Sequence, residues 1–310
     1  MATNDFYLAI GIIIALMLIP LIIAVAVRFL IKDDPPEPET VVVKPTTQFD
    51  NLKDFWQSNV PHLIELRDRL IKASAGVMLG ALLGSYLVFG SPGGFNVIDA
   101  LSRQFIGPNW VNSLQTIEIA EAFVASMGVA LAIGIAIAMP VIIYQIVAFF
   151  APGLYAREKR IVFTALPFVF ELFLAGLVFG WFFTVPAAIN FLYNFGATAQ
   201  SFEVRPTVND FLSIITRLML WNGVIFELPA VIFLLVRIGV VSVETLARTR
   251  RYAIVIITIA AAFITPTGDP FNLLLLAIPM YLLYELGILL GRLMPRRKPD
   301  VVAAQVSPGD

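Results

Sequence analysis

Seven apolar segments recur along this chain, and most are long enough to cross the hydrocarbon core of a bilayer, which takes about 20 residues of helix. They are Tyr7–Ile31, Ala73–Phe89, Phe123–Tyr144, Ile161–Val185, Phe211–Val236, Ala253–Ile264 and Phe271–Leu290. Inside lipid every backbone N–H and C=O must find its partner within the protein, so such a chain is restricted to helices or a closed barrel. Long apolar runs without strict alternation select helices. Composition agrees, with 59% hydrophobic residues, 14% charged residues and a mean hydropathy of +0.86. The fold class expected is therefore an all-α integral membrane protein with several spans.

Loop cations set the orientation. Lys32, Lys44, Lys53, Arg67, Arg69, Lys72, Arg157, Lys159, Arg160, Arg237, Arg248, Arg250, Arg251, Arg292, Arg296, Arg297 and Lys298 all fall on one side of the spans. The other side holds only Arg103 and Arg205. Cytoplasmic loops carry the excess of Lys and Arg, so the N-terminus is expected outside and the C-terminus in the cytoplasm.

The chain divides into residues 1–31, an N-terminal transmembrane anchor; 32–50, a proline-rich cytoplasmic linker; 51–293, a six-span body; and 294–310, a cytoplasmic tail. The first run has no basic residue before it and is too long for the apolar part of a secretory signal. Pro35, Pro36, Pro38 and Pro45 block helix in the linker, while Asp33, Asp34, Glu37 and Glu39 keep it solvated. Asn51–Leu70 reads as an amphipathic helix on the cytoplasmic surface, with Phe55, Val60, Leu63, Leu66 and Leu70 at helical spacing. Pro61 is expected to bend or restart it. The sixth span, Ala253–Ile264, covers only about 18 Å and ends at the turn Thr265-Pro266-Thr267-Gly268-Asp269-Pro270.

With no Cys and one His there is no thiol nucleophile, disulfide or His/Cys metal cluster, and no catalytic set is evident. The chain is not expected to be an enzyme or to hold a cofactor or metal. Its chemistry concentrates in carboxylates. Glu65 and Arg69 are i, i+4 neighbours, with Arg67 on another face. The pair reads either as a surface ion pair or as a carboxylate offering its planar edge to a ligand guanidinium. Glu158 lies among Arg157, Lys159 and Arg160, either as local charge balance or as a second receptor carboxylate, and Phe149 and Tyr155 can add apolar contact. Glu171 and Glu227 lie within spans, where an ionisable group is by default a functional candidate. For Glu171 a structural hydrogen bond is equally compatible. Pro229 frees a backbone carbonyl near Glu227, and Arg217 is roughly 15 Å away along the helix. Glu171, Arg217 and Glu227 together admit a proton-coupled small-solute transporter, although no internal repeat accompanies them.

In order, His62-Leu63-x-Glu65-Leu66-Arg67-x-Arg69-Leu70, Glu121-x-Phe123, Tyr144-Gln145, Phe149-x-Ala151-Pro152-Gly153-Leu154-Tyr155, Glu158-x-Arg160, Phe226-Glu227-x-Pro229, Thr265-Pro266 with Asp269, and Ala277-Ile278-Pro279-Met280-Tyr281 resemble the TatC family, the polytopic core of the twin-arginine protein translocase. The resemblance covers roughly residues 55–293 and implies a concave six-helix bundle, so the first span is an addition to it. It implies recognition of twin-arginine signal peptides of folded precursors at the cytoplasmic face, with Glu65 and Glu158 as the matching residues. Arg67, Arg69, Phe149, Glu227 and Asp269 fall on further positions that the family treats as functional. It also implies TatA- and TatB-like single-span partners, an oligomer in the cell membrane, and transport driven by the proton motive force. The chain has Thr-Pro-Thr-Gly-Asp at residues 265–269 where other members carry Thr-Pro-Pro-Asp.

Overall fold

The computed structural model describes residues 52–90, 96–107, 113–153, 156–200 and 205–293, with the side chains of 52–59, 61, 153, 156–158 and 196–200 left aside. The expected anchor, linker and C-terminal tail lie outside the described residues. Those described are helical apart from turns and one isolated bridge: α1 Leu52–Phe89, α2 Val97–Phe105, α3 Glu121–Phe150, α4 Ala156–Phe179, α5 Val185–Gln200, α6 Val208–Phe226, α7 Leu228–Arg237, α8 Val243–Arg248, α9 Arg250–Ile264 and α10 Pro270–Leu293. Five stretches are long and apolar enough to cross a membrane: His62–Phe89, Glu121–Phe150, Lys159–Phe195, Val208–Arg237 and Pro270–Leu293. The sixth, α9, has 15 residues and a length of about 22 Å, short of a hydrocarbon core of about 30 Å.

Two sequence expectations change. The amphipathic segment and the first body span are one continuous helix of 38 residues, so Pro61 does not restart it. A proline here is tolerated because the freed backbone group lies near the water-exposed end of the helix rather than in lipid. Conversely, Phe211–Val236 is not one helix. It breaks at Glu227, where the Glu227 N–H donates to the Val224 carbonyl at 3.1 Å and Pro229 stands in the first turn of α7. Proline suits the first turn of a helix, where its missing N–H costs nothing.

Helices α1 and α3 pack antiparallel at very short range. Gly76, Gly80 and Gly84 recur every fourth residue and so form one stripe on α1. A Cβ at Gly80 would run into the Gly134 carbonyl, and one at Gly84 into the Ala130 carbonyl. Small residues at this spacing let helix backbones approach closely where lipid supplies no hydrophobic drive for association. Gly176 of α4 plays the same part against the Asn222 carbonyl and Gly223 of α6. Beside that crossing, Asn222 is fully buried: its amide donates to the Leu218 carbonyl (2.7 Å), and its Oδ1 accepts from the Thr184 hydroxyl (3.2 Å). Thr184 closes a π-helical segment, Gly180–Thr184, that joins α4 to α5.

At the end of the bundle that carries few cations, one carboxylate serves two helix starts. Glu121 Oε2 accepts from the Ile117 N–H (2.7 Å), and Oε1 accepts from the Asn209 N–H at the start of α6 (3.1 Å). Negative charge at a helix N-terminus is favourable. Gln115 bridges to Thr207 beside it, through Gln115 N–H to the Pro206 carbonyl and Val208 N–H to the Gln115 carbonyl.

Overpacking a core costs about 1–3 kcal/mol, and backbone on both sides of the α1–α3 crossing gives little room to relax. Gly80→Val should therefore lower the thermal midpoint of the purified protein by several degrees or leave it unfolded. Gly128→Ala, at a glycine whose added Cβ would meet nothing within 4 Å, should leave it unchanged or slightly raised.

Candidate functional site

The first candidate lies at the end of the bundle rich in Lys and Arg, where α1 runs beside the end of α3 and the chain turns toward α4. Helices α1 and α3 pair through Gly84 with Ala130, Gly80 with Gly134 and Gly76 with Val141. At equal rise per residue this register carries Glu65 to the height of residues 149–152, which close α3 and form the turn Ala151–Gly153. Glu65 and Phe149 thus share one level. Residue 158 lies in the first turn of α4, just beyond that turn; the Glu158 side chain lies outside the described residues.

Glu65 is half-buried and engaged on one oxygen. Arg69 Nη2 (2.6 Å) and Nε (3.0 Å) both donate to Oε1, so neither donor uses Oε2. This i, i+4 pair orients the carboxylate, although a solvent-accessible pair of this kind adds less than about 1 kcal/mol to stability. Arg67 instead donates to the adjacent Asp68 at 2.9 Å and is well exposed. Phe149 packs edge-on against Phe150, with ring centroids 5.2 Å apart.

The second candidate is a cavity of about 270 Å³ between α3, α4 and α7. Ile143, Val147, Val162, Phe168, Val231 and Leu234 wall it, and Glu227 is the one charged residue of its lining. Glu227 is only 7% exposed, and both its oxygens lack a hydrogen-bond partner among the described residues. The α4–α6 register, Gly176 with Asn222 and Gly180 with Met219, puts Glu171 at the height of Glu227. Glu171 Oε2 is likewise buried and unpartnered, but Glu171 does not line the cavity. Arg217 is exposed on α6, and no hydrogen bond links it to either carboxylate among the described residues.

Asp269 is a different case. Its Oδ2 accepts from the Asn272 N–H (2.8 Å) and its Oδ1 from the Asn272 side-chain amide (2.8 Å), which caps the first turn of α10. Burial works against its ionisation. The nearby Thr267 hydroxyl, outside strict hydrogen-bond geometry, and the two Asn272 donors outweigh burial and hold the carboxyl below its ordinary value.

Sequence reading missed a clamp at the basic end. Arg250 of α9 donates from Nη2 to Glu285 Oε2 (2.8 Å), and its Nε stands 2.7 Å from Oε1, off the hydrogen-bond axis. Tyr281 donates to the same carboxylate at 3.0 Å, and Tyr284 donates to the Leu246 carbonyl at 2.8 Å. The spacing Tyr281-x3-Glu285 was the available signal, since i, i+4 residues meet on a helix face.

Comparison with known proteins identifies the family of the chain. Residues 61–279 match the family model described as "Sec-independent protein translocase protein (TatC)". The chain belongs to the TatC family. It is 35% identical over 249 residues to the TatC protein of Magnetococcus marinus, covering 79% of this chain and 88% of that protein. Against the Aquifex aeolicus protein it is 34% identical over 243 residues, covering 78% and 98%. A crystal structure of the twin arginine translocase receptor TatC superposes with a TM-score of 0.63 at 34% identity, covering 75% of this chain and 98% of that one. The TatC family consists of translocase subunits rather than enzymes, and nothing in these matches supports the transporter reading.

A carboxyl held below its unfolded value stabilises the fold fully above that value, about 3.9 for Asp, and gives the contribution up as pH falls through the lower folded value. Asp269→Ala should therefore cost about 0.5–2 kcal/mol at neutral pH. The gap in thermal midpoint between wild type and this variant should narrow on acidification below about pH 4. A gap that stays constant would show that the carboxylate charge plays no part.

Proposed function

We propose that this chain is the receptor subunit of a twin-arginine translocase. It sits in the cell membrane with the Lys- and Arg-rich end in the cytoplasm, where it binds the twin-arginine signal peptides of folded precursors. The observation that carries the reading is Glu65, a carboxylate held on α1 at the height of the α3–α4 turn, half-exposed and with only Oε1 engaged by Arg69. A carboxylate presents a planar edge that matches a guanidinium in two parallel N–H···O bonds. Glu158 supplies the second carboxylate beyond the turn, Phe149 gives apolar contact beside them, and Arg67 and Arg69 orient the charged surface.

On the same reading Glu227 acts within the membrane, contacting a partner helix or a polar segment in passage. TatA- and TatB-like single-span subunits join the chain in an oligomer, and the proton motive force drives export. Residues 1–31 cross the membrane with their N-terminus outside, residues 32–50 tether them to the body, and residues 294–310 form a cytoplasmic tail. Support comes from the family membership and from the shared height of Glu65 with residues 149–152.

Replacing a charge-assisted hydrogen-bond partner costs about 1.5–3 kcal/mol, or roughly 10- to 150-fold in affinity. Glu65→Arg and Glu158→Arg should each abolish photocrosslinking of an arginine-pair signal peptide in membranes, with the protein still inserted. Undiminished crosslinking in both variants would overturn the receptor assignment. Glu227→Ala should instead block export of a folded reporter while leaving signal-peptide crosslinking intact; normal export would reduce Glu227 to a structural residue.

A further inference from the structure

At the end of the bundle that carries few cations, the loop before α3 leaves two branched apolar side chains uncovered. Ile117 is 75% exposed and Ile119 fully so. Single exposed apolar residues are ordinary on a protein surface. Here two stand on one short loop whose conformation is fixed. Glu121 Oε2 accepts from the N–H of Ile117 (2.7 Å) and of Glu118 (3.4 Å), while Oε1 accepts from the Asn209 N–H at the start of α6. Gln115, earlier in the loop, is bonded through its backbone to Pro206 and Val208. The loop is thus pinned to the helix starts around it, and its two isoleucines are presented outward rather than tucked into the core.

The level at which the loop is pinned decides what covers them. Lys72 is the last charged residue of α1, and it is exposed. A hydrocarbon core of about 30 Å measured from there takes about 20 residues of helix. With Gly80 opposite Gly134 and Gly84 opposite Ala130, its far boundary falls at about the level of residues 122 and 123 on α3. Phe123 stands at that boundary, exposed and with its ring centroid 5.9 Å from that of Phe89, which is also exposed. Ile119 lies no more than one helical turn beyond Phe123, about 5.4 Å. That places it in the layer of about 5–10 Å at the headgroup–acyl boundary where apolar side chains of interfacial segments bury. Ile119, Phe123, Met127 and Leu131 also follow one another at intervals of four, and all are exposed. The loop therefore continues the face that α3 turns to lipid.

We infer that Ile117 and Ile119 insert among the lipid headgroups of the leaflet at the cation-poor end, and that this loop anchors the α1–α3 pair at a fixed height in the bilayer. The partner is a phospholipid surface, because the two side chains extend a lipid-facing stripe at the level where hydrocarbon ends. Insertion is apolar and so has no need of anionic headgroups. Glu121 is the positioning residue, since its carboxylate holds the backbone that carries both isoleucines. The anchor is independent of the roles of Glu65 and Glu158 and of which face is cytoplasmic.

The absence of native cysteine permits single labels. The full chain with Ile119→Cys, carrying a small environment-sensitive fluorophore, would be placed in phosphatidylcholine vesicles doped with lipids that bear a nitroxide quencher at the headgroup or at mid-chain. Met127→Cys on the lipid-facing stripe and Arg103→Cys on the exposed side of α2 serve as references. The headgroup quencher should act several-fold more strongly on Ile119 than on Arg103, and Met127 should respond more to the mid-chain quencher. Quenching at Ile119 no stronger than at Arg103 would overturn the anchor. So would shielding of Ile119 from aqueous iodide without quenching by either lipid, which would put a protein surface, a second copy included, over the loop. Adding Glu121→Ala should weaken the Ile119 signal while leaving that of Met127 unchanged; an unchanged Ile119 signal would overturn the positioning role. A last readout leaves the loop unlabelled. Replacing Ile117 and Ile119 together by serine should shift the depth reported by a label at Leu82→Cys on the exposed face of α1, and an unchanged depth would contradict a height set by the loop.

Discussion

The close antiparallel approach of α1 and α3 is the contact on which the candidate receptor surface depends. It is made by backbone against backbone, at Gly80 with Gly134 and Gly84 with Ala130, so side-chain rotamers cannot let it slip. A helix crossing of this kind fixes register, and register is what carries Glu65 to the height of the α3–α4 turn. Because α1 is one helix from Leu52 to Phe89, a constraint set in mid-membrane is transmitted rigidly to the charged surface at its end. A break between Glu65 and Gly76 would have uncoupled the two.

Polar groups in the bundle fall into two physical classes. Asn222, Glu121, Glu285 and Asp269 are hydrogen-bonded to helix ends, carbonyls or neighbouring side chains, and their chemistry is used up in holding the fold. Glu227 and Glu171 keep buried oxygens without partners among the described residues. A native structure rarely leaves such groups idle, since each carries the full cost of desolvation. Glu65 belongs to neither class, because it is oriented by Arg69 yet open to an incoming donor. This contrast separates residues that build the bundle from residues available to a ligand or a partner.

Much of the bundle was legible in the sequence because lipid imposes one solution, helices of a set length, on any apolar run. The spans at Phe123–Tyr144 and Phe271–Leu290, the short sixth span and the turn at 265–270 all appear in the structure, displaced only at their ends. Contacts between helices were not legible. The stripe Gly76, Gly80 and Gly84 was in plain sight, but a stripe of small residues does not name the helix it meets. The break at Glu227 was half visible, since Pro229 announced a disturbed backbone without saying that α7 would start there. Glu285 escaped because its partner Arg250 is 35 residues away, and a residue beyond one helical turn leaves no periodic trace. Among the site residues, motif order pointed to Glu65, Phe149 and Glu227, while only geometry revealed that Asp269 is occupied as a helix cap.

The central claim is that Glu65, placed by the α1–α3 crossing, reads a guanidinium by its geometry and not merely by its charge. The most direct test is equilibrium binding of two signal peptides to the purified protein, one with an arginine pair and one with lysines in their place. A lysine keeps the charge but loses the planar fork. The arginine peptide should bind the wild type at least several-fold more tightly, and Glu65→Gln should erase most of that difference. Equal affinities for the two peptides, or a preference that survives Glu65→Gln, would contradict the account.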